Sequence, residues 1–351
     1  MSLTDFRTLG RSGLVVSPLC LGTMTFGPGD WTSNDAISRD VFDAYRDAGG
    51  NFVDTADVYS GGSSEELVGR FIKDSSSRDD IVLATKFGFN AARGNPHAGG
   101  NGAKNIHRAL HSSLRRLGTD YIDLYWMHVW DSVTPVEDIC QTLGDLVCSG
   151  KIRYFAFSDM PAWIAMKAAT IANERRAPGP VAMQVEYSLV ARDIEREHVP
   201  VAIEAGMGVV PWSPLAGGFL TGKYKREDTS DTGRLSGDNP FGDSKFTDRN
   251  WALLDVLRRV AEEQEHSLAQ VALAWVSTRT GVASTLIGAT SVEQLQSNVA
   301  ALNVELTTTQ ITALNEAGAT EPGFTDMLAS TPVRQMIFGG SNVKNWSELQ
   351  S

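Results

Sequence analysis

Four polar residues carry side chains suited to moving a proton: Asp54, Tyr59, Lys86 and His128. Asp54 closes the run Phe52-Val53-Asp54, and Tyr59 stands just beyond it. Lys86 closes Leu83-Ala84-Thr85-Lys86, and His128 closes Leu124-Tyr125-Trp126-Met127-His128. A tyrosine hydroxyl, with a reference pKa of about 10, is a poor acid near neutrality. An adjacent ammonium stabilises the phenolate and makes it a better one. A carboxylate can hold that lysine and offset the cost of its burial, and a histidine N–H can orient an oxygen acceptor beside the tyrosine. Together they make a proton donor for a carbonyl oxygen. Taken singly, each residue has an ordinary reading: a structural ion pair, a core histidine, a loop aromatic. The set stands out because its members sit at or just past the ends of consecutive strand-like runs.

Those runs are part of a longer rhythm. Eight short segments rich in apolar or β-branched residues recur: Leu19–Gly22, Asn51–Asp54, Ile81–Lys86, Ile122–His128, Tyr154–Ser158, Ala182–Glu186, Gly208–Trp212 and Ser284–Gly288. Segments of helical spacing lie between them, such as Arg39–Ala48, Ser64–Lys73, Ile106–Leu117, Val136–Val147 and Trp251–Arg258, with plausible stops at Gly49, Gly118 and Gly150. Alternating β and α units predict a parallel sheet, and eight of them predict a closed (β/α)8 TIM barrel. Before the first unit, Phe6–Leu9 and Leu14–Val16 flank Gly10-Arg11-Ser12-Gly13, the pattern of a β-hairpin. Long loops are expected after strand 3, from Asn90 to Asn105, and after strand 7, from Ala216 to Asp248. Both would lie on the face where a barrel gathers its reactive groups. Period-two alternation points Trp126 and His128 the same way, and likewise Ala84 and Lys86. The tail from Gly318 to Ser351 reads as irregular, and residues 1–351 read as one barrel domain.

Composition narrows the partners. The 351 residues carry a formal net charge of −11, which argues against nucleic-acid or anionic-membrane binding. Cys20, Cys140 and Cys148 show no metal spacing and suit a reducing compartment. No secretory layout opens the chain, and no apolar run approaches the roughly 20 residues of a membrane span. The expectation is a cytoplasmic protein without a metal, monomeric or a small homo-oligomer.

The segments around the four polar residues, Asp54-x-Ala56-x-x-Tyr59, Ala84-Thr85-Lys86-Phe87-Gly88 and Asp123-Leu124-Tyr125-x-x-His128, resemble the catalytic segments of aldo-keto reductases. Leu9–Leu14, Leu21–Gly27, Gln184–Leu189, Trp212–Gly218 and Ile287–Thr290 are also similar to that family, in the same order, so the resemblance runs from Phe6 to Ala317. The bacterial and potassium-channel β-subunit branches are the more similar ones. The resemblance implies that Asp54, Tyr59, Lys86 and His128 are catalytic, that the cofactor is NADP(H), and that the substrate is a small carbonyl compound.

No Gly-x-Gly-x-x-Gly follows a strand, so a Rossmann domain is not indicated. A barrel can instead hold phosphate with the loops after strands 7 and 8, where Ser213, Pro214, Leu215, Gly217, Gly288 and Thr290 fall. The resemblance further assigns Gly22, Thr23, Met24 and Asp54 to the cofactor site, Ser158, Asp159 and Gln184 to the nicotinamide carboxamide, Trp212 to the ring, and Gln294 and Asn298 to the adenosine end. Asp159 departs from the family, which has asparagine there; an ionised carboxylate accepts but cannot donate. Lys223, with Arg234 as a looser candidate, would supply positive charge to a 2′-phosphate. Trp31, Phe89 and Trp130 are the expected substrate-pocket aromatics.

Two other motifs fail on chemistry. Gly217 to Lys223 fits a P-loop, but Tyr224 occupies the position that needs Ser or Thr for Mg²⁺. His107 and His111 lie one helical turn apart, but Arg108 stands where a zinc peptidase has its glutamate. The first functional reading is therefore an NADPH-dependent carbonyl reductase. The alternative is an NADP(H)-binding, redox-sensing regulatory protein of the channel β-subunit type. Net charge and the lack of an interaction arm favour the enzyme.

Overall fold

The structure is a computed structural model that describes residues 1–29, 32–226, 235 and 245–344. Its contacts divide into two compact units, Met1–Gly318 and Ala319–Ser351. The first unit opens with a two-stranded antiparallel hairpin, β1 (Arg7–Thr8) and β2 (Val15–Val16). Eight parallel strands follow: β3 (Leu19–Gly22), β4 (Phe52–Asp54), β5 (Val82–Phe87), β6 (Ile122–Met127), β7 (Ile152–Ser158), β8 (Pro180–Glu186), β9 (Gly208–Trp212) and β10 (Thr285–Ile287). They pair in sequence order, and β10 pairs with β3. Between β9 and β10 a parallel bridge, Val209 with Val282, brings the ends of the sheet together, and the amides of Val209 and Ala283 each donate across it at 2.9 Å. The eight predicted strands all appear, within two residues at most boundaries.

Helices α1 (Asp35–Asp47), α2 (Ser63–Asp74), α3 (Ala103–Leu117), α4 (Val136–Cys148), α5 (Ala162–Arg175) and α6 (His198–Ala205) connect successive strands. Helices α7 (Asp248–Glu263) and α8 (Leu268–Ser277) lie between β9 and β10, and α9 (Val292–Ala300) and α10 (Thr308–Ala317) follow β10. The amphipathic α3 buries Ile106, Ala109, Leu110, Ser113, Leu114 and Leu117 along one face, the three-and-four spacing expected of a helix laid on a sheet.

Strand alternation builds two cores. Inside the barrel, Cys20, Phe52, Val82, Ala84, Leu124, Trp126, Ala156, Ala182 and Val210 pack together, and the hairpin residues Leu9, Leu14 and Val16 join them at the N-terminal end. Between sheet and helices lie the residues of opposite parity, including Leu21, Val53, Leu83, Phe87, Tyr125, Phe155 and Phe157. Close approach at the hairpin requires Gly10: a Cβ there would meet the Gly206 carbonyl oxygen at 2.4 Å. The interior parity of β4, β5 and β6 ends, one step further toward the C-terminal mouth, on Asp54, Lys86 and His128.

The second unit is less irregular than its composition predicts. It contains two short helices, α11 (Phe324–Leu328) and α12 (Thr331–Ile337). Ser330 caps α12 in extended geometry and Pro332 sits in its first turn, a local signal that outweighs the lack of a buried face.

Candidate active site

The mouth of the barrel holds a buried ion pair. Lys86 and Asp54 are both fully buried, and the Lys86 ammonium donates to Asp54 Oδ2. It also donates to the Thr55 carbonyl at 2.9 Å and to the Tyr59 hydroxyl at 3.1 Å. The three protons of the ammonium thus have three oxygen partners. Burial opposes the charge on Lys86, but Asp54 and then Tyr59 outweigh it and raise the lysine pKa, so the ammonium persists. Gln184, on β8, donates to the other Asp54 oxygen at 3.4 Å, which ties opposite parts of the barrel rim together.

His128 closes the group. Its ring meets Tyr59 edge-on, with centroids 5.7 Å apart, and meets Phe89 edge-on at 4.8 Å. Burial first, and the Lys86 charge second, push its pKa well below the usual histidine range. A neutral imidazole with one N–H is therefore present at neutral pH. Its Nδ1 is buried with no hydrogen-bond partner among the described residues.

A second set of charges lies behind these four. Glu65, fully buried on α2, accepts from Thr85 Oγ1 at 2.5 Å and pairs with Arg116 at 2.6 Å. Asp57 is 4% exposed, and both its carboxyl oxygens lack a partner among the described residues. Burial, then the Glu65 charge, push its pKa up to about 7 against Arg116, Arg108 and Lys86. Sequence spacing carries no signal for this network, because it joins residues of α2, α3 and β5 that are far apart in the chain.

A cleft of about 420 Å³ opens beside Tyr59 and His128. It is lined by Gly22 and Met24 at the end of β3 and beyond, Ser158 and Asp159 at the end of β7, Gln184 on β8, Trp212, Ser213, Pro214, Leu215 and Gly217 at the end of β9 and beyond, Gly288 and Thr290 before α9, and Gln294 and Asn298 on it. Most of the residues predicted for a cofactor thus share one surface, together with Gly218 and Ala289 of the same expected loops, and joined by Thr25, Val58, Leu273, Leu286 and Ile287, which the sequence reading missed. Thr25 is small and polar and lies in the quoted run Leu21–Gly27, the one signal that could have marked it.

Some predicted residues lie elsewhere. Thr23 is buried and donates from its hydroxyl to the Asp54 carbonyl at 3.1 Å, so it braces β4 rather than facing the cleft. Lys223 is not on the lining; its stem runs against Gly218, which is, and its ammonium sits 4.9 Å from the Tyr224 ring centroid. Trp130 is also off the lining and packs edge-on against Trp163, with centroids 6.0 Å apart. Trp31 and Arg234 lie outside the described residues. His107 and His111 have ring centroids 6.4 Å apart, and no metal-binding group of three occurs among the described residues. No helix among those residues is long and apolar enough to cross a membrane.

The cleft lining has the chemistry that a nicotinamide dinucleotide needs. At the end nearest Tyr59 it offers the amide and hydroxyl groups of Gln184 and Ser158, a donor and acceptor set for a carboxamide. Gly217 and Gly218, also on the lining, hold φ of 65° and 94°, a left-handed backbone that glycine adopts without strain, and a Cβ there would press on Leu235 and Lys223 respectively. Asp159, Ser213 and Ala216 adopt left-handed φ of 46°, 52° and 50° although they are not glycines. Such strain, about 1–3 kcal/mol each, collects where a site must hold a shape.

A parallel barrel whose mouth joins a buried lysine–tyrosine contact to a long glycine-edged cleft is the architecture of a cofactor-using oxidoreductase. The profile of the aldo/keto reductase family matches residues 18–319, most of the chain, and the protein belongs to that family. It is 34% identical over 340 residues to a norsolorinic acid reductase of Aspergillus flavus, covering 93% of this chain and 85% of that one. It is 32% identical over 338 residues to an aryl-alcohol dehydrogenase [NADP(+)] of Phanerodontia chrysosporium, covering 90% and 86%. It is 35% identical over 305 residues to a probable voltage-gated potassium channel subunit beta of Oryza sativa subsp. japonica, covering 86% and 92%.

Proposed function

We propose that this protein reduces aromatic aldehydes or ketones to alcohols with NADPH, using Tyr59 as the proton donor. The observation that carries the reading is the Lys86 ammonium, buried, held by Asp54 and 3.1 Å from the Tyr59 hydroxyl. When bound, the cofactor supplies the hydride. Its nicotinamide end would be held by Ser158, Asp159, Gln184 and Trp212, and its phosphates by the loops at Ser213–Gly217 and Gly288–Thr290.

The chain's own residues would do the rest. His128, kept neutral by burial and by Lys86, donates an N–H to the substrate oxygen and sets it beside the phenol. Tyr59 passes its proton to that oxygen as negative charge develops there. Lys86 stabilises the phenolate left behind, and Asp54 keeps the ammonium in place. Phe89, edge-on to His128, offers an apolar wall that suits an aryl group. The names of the fungal relatives, an aryl-alcohol dehydrogenase and a norsolorinic acid reductase, support an aromatic substrate.

The test is the purified protein mixed with NADPH and a panel of aromatic and aliphatic aldehydes, followed by loss of reduced-nicotinamide absorbance. Turnover that favours aromatic members is the expected result. A second reading, a regulatory NADP(H)-binding protein, is favoured by the similarity to the rice channel subunit. Tight NADPH binding with negligible turnover across the panel would replace the first reading with the second.

A further inference from the structure

Asp159 lines the cleft that opens beside Tyr59 and His128. Its main-chain N–H donates to the Gln184 carbonyl at 3.2 Å, and Gln184 donates to Asp54. Its carboxyl group is fixed on both sides: Trp212 Nε1 donates to one oxygen at 2.9 Å and Ser158 Oγ to the other at 3.1 Å. The backbone is held at a left-handed φ of 46° to keep it there.

A ring placed to pass a hydride to a carbonyl held at Tyr59 must come within about 3–3.5 Å of the acceptor carbon. On the cofactor reading, such a ring would lie against Ser158, Asp159 and Gln184, which line the cleft beside Tyr59. The net charge it meets there can be worked out from the neighbours. Lys86 and Asp54 cancel as a pair. His128 is neutral. Glu186, which also faces Asp159, is paired with Lys245 at 2.9 Å. Asp193 and His198 share a separate groove with Asp159, and the His198 ring is engaged with the Met160 carbonyl at 2.8 Å. Asp193 belongs to that groove and not to the cleft lining; Asp159 is the carboxylate on the lining and has no ion-pair partner among the described residues, so its charge is the unbalanced one there.

We propose that Asp159 makes this cleft discriminate between the two redox forms of the nicotinamide, favouring the cationic oxidised ring over the neutral reduced one. The inference rests on the cofactor reading above. In the reduction, the ring C4–H bond breaks, the hydride forms a C–H bond at the carbonyl carbon, and the Tyr59 proton goes to the carbonyl oxygen. The ring is left with one positive charge and Tyr59 with one negative charge. The Asp159 carboxylate stabilises that positive charge as it develops, which helps the hydride to leave. The same attraction holds the oxidised cofactor after the reaction. An asparagine at this position would offer similar hydrogen bonds but no charge. Asp159 stays exposed at the cleft surface, but the protein packed around its carboxyl desolvates it. That effect, only partly offset by the Trp212 and Ser158 hydrogen bonds, raises its pKa to about 6, so the preference should fade in mildly acidic solution.

The experiment measures dissociation constants for NADP⁺ and NADPH by quenching of tryptophan fluorescence, without substrate, in the parent protein and in Asp159→Asn at pH 8. The two ligands share the same phosphates, so phosphate titration cancels in the ratio of their constants. Asp159→Asn is expected to weaken NADP⁺ relative to NADPH by about tenfold. The parent protein, which needs no variant to fold, should show the same change in ratio as pH falls through about 6. A ratio that is the same in parent and variant and flat with pH overturns the proposal while leaving the cofactor reading intact. Failure of the parent to bind either form overturns both.

Discussion

The Tyr59 hydroxyl and the Lys86 ammonium meet at 3.1 Å, and Asp54 holds the same ammonium from another side. The phenol is therefore coupled to a permanent positive charge that water does not screen. Tyr59→Phe keeps the ring and its edge contact with His128 but removes the transferable proton. Carbonyl reduction should fall by about 10²–10⁴-fold, with NADPH affinity near that of the parent. Steady-state rates and a binding titration on one preparation check both halves. A variant that keeps most of its rate removes Tyr59 from the role.

Lys86→Met should act on both chemistry and stability. Without the ammonium, the apparent pKa of the acidic group rises and the rate falls; the pH profile of turnover reads the first effect. Asp54 is also left as a buried charge without its counter-ion. Removing one partner of a buried pair costs about 3–5 kcal/mol, visible in denaturant unfolding. Replacing both residues, Asp54→Asn with Lys86→Met, should recover much of that stability and none of the activity.

Asp57 sets up a pH dependence of folding. Its pKa in the folded protein is pushed up to about 7, above the ordinary carboxylate value, because burial and Glu65 disfavour its charge. For a raised acid, the stabilising contribution is complete below the unfolded pKa and is lost as pH rises through about 7. Asp57→Asn should therefore stabilise the protein at pH 8 by on the order of 2 kcal/mol and change little at pH 4. Equal effects at both pH values would show that the carboxyl is not strained by burial.

Selectivity for NADPH over NADH depends on cations reaching a 2′-phosphate. Thr290 and Ser291, at the start of α9, carry no charge, and Ser291 is occupied as the helix cap. Lys223 stands next to cleft-lining Gly218, and Arg234 lies outside the described residues. Two charge-assisted hydrogen bonds, each about 1.5–3 kcal/mol, would favour NADPH by roughly a hundredfold or more. Dissociation constants for both cofactors in the parent, Lys223→Ala and Arg234→Ala decide it. Equal affinities in the parent would rule the preference out.

Much of this architecture can be read from the chain because a strand repeats every two residues. The parity that places Phe52, Ala84 and Trp126 inside the barrel also delivers Asp54, Lys86 and His128 to its mouth. Glycine and small residues after β9 and β10 likewise mark the cleft loops, most of which line one surface. Period says nothing about the last few ångströms. Thr23 was expected in the cleft and instead turns to the Asp54 carbonyl, and Trp130 turns to Trp163 rather than to the pocket, because loop side chains follow their local packing. The Glu65–Arg116 pair and the orphaned Asp57 depend on helices meeting a strand, which no local pattern encodes.

The barrel is not equally secure all the way round. Its strands pair in continuous ladders, with one register shift between β7 and β8, until β9 and β10, where among the described residues a single bridge at Val209 and Val282 makes the join. That seam is the natural place for the wall to open first under hydrogen exchange or proteolysis. The loops leaving these two strands carry Ser213–Gly217 and Gly288–Thr290, on opposite sides of the same join. A molecule bridging those loops would staple the seam, and amide exchange at Val209 and Ala283 should slow as it binds. Resistance to degradation would then rise and fall with the supply of that molecule, which makes the lifetime of the empty protein a property of its weakest pair of strands.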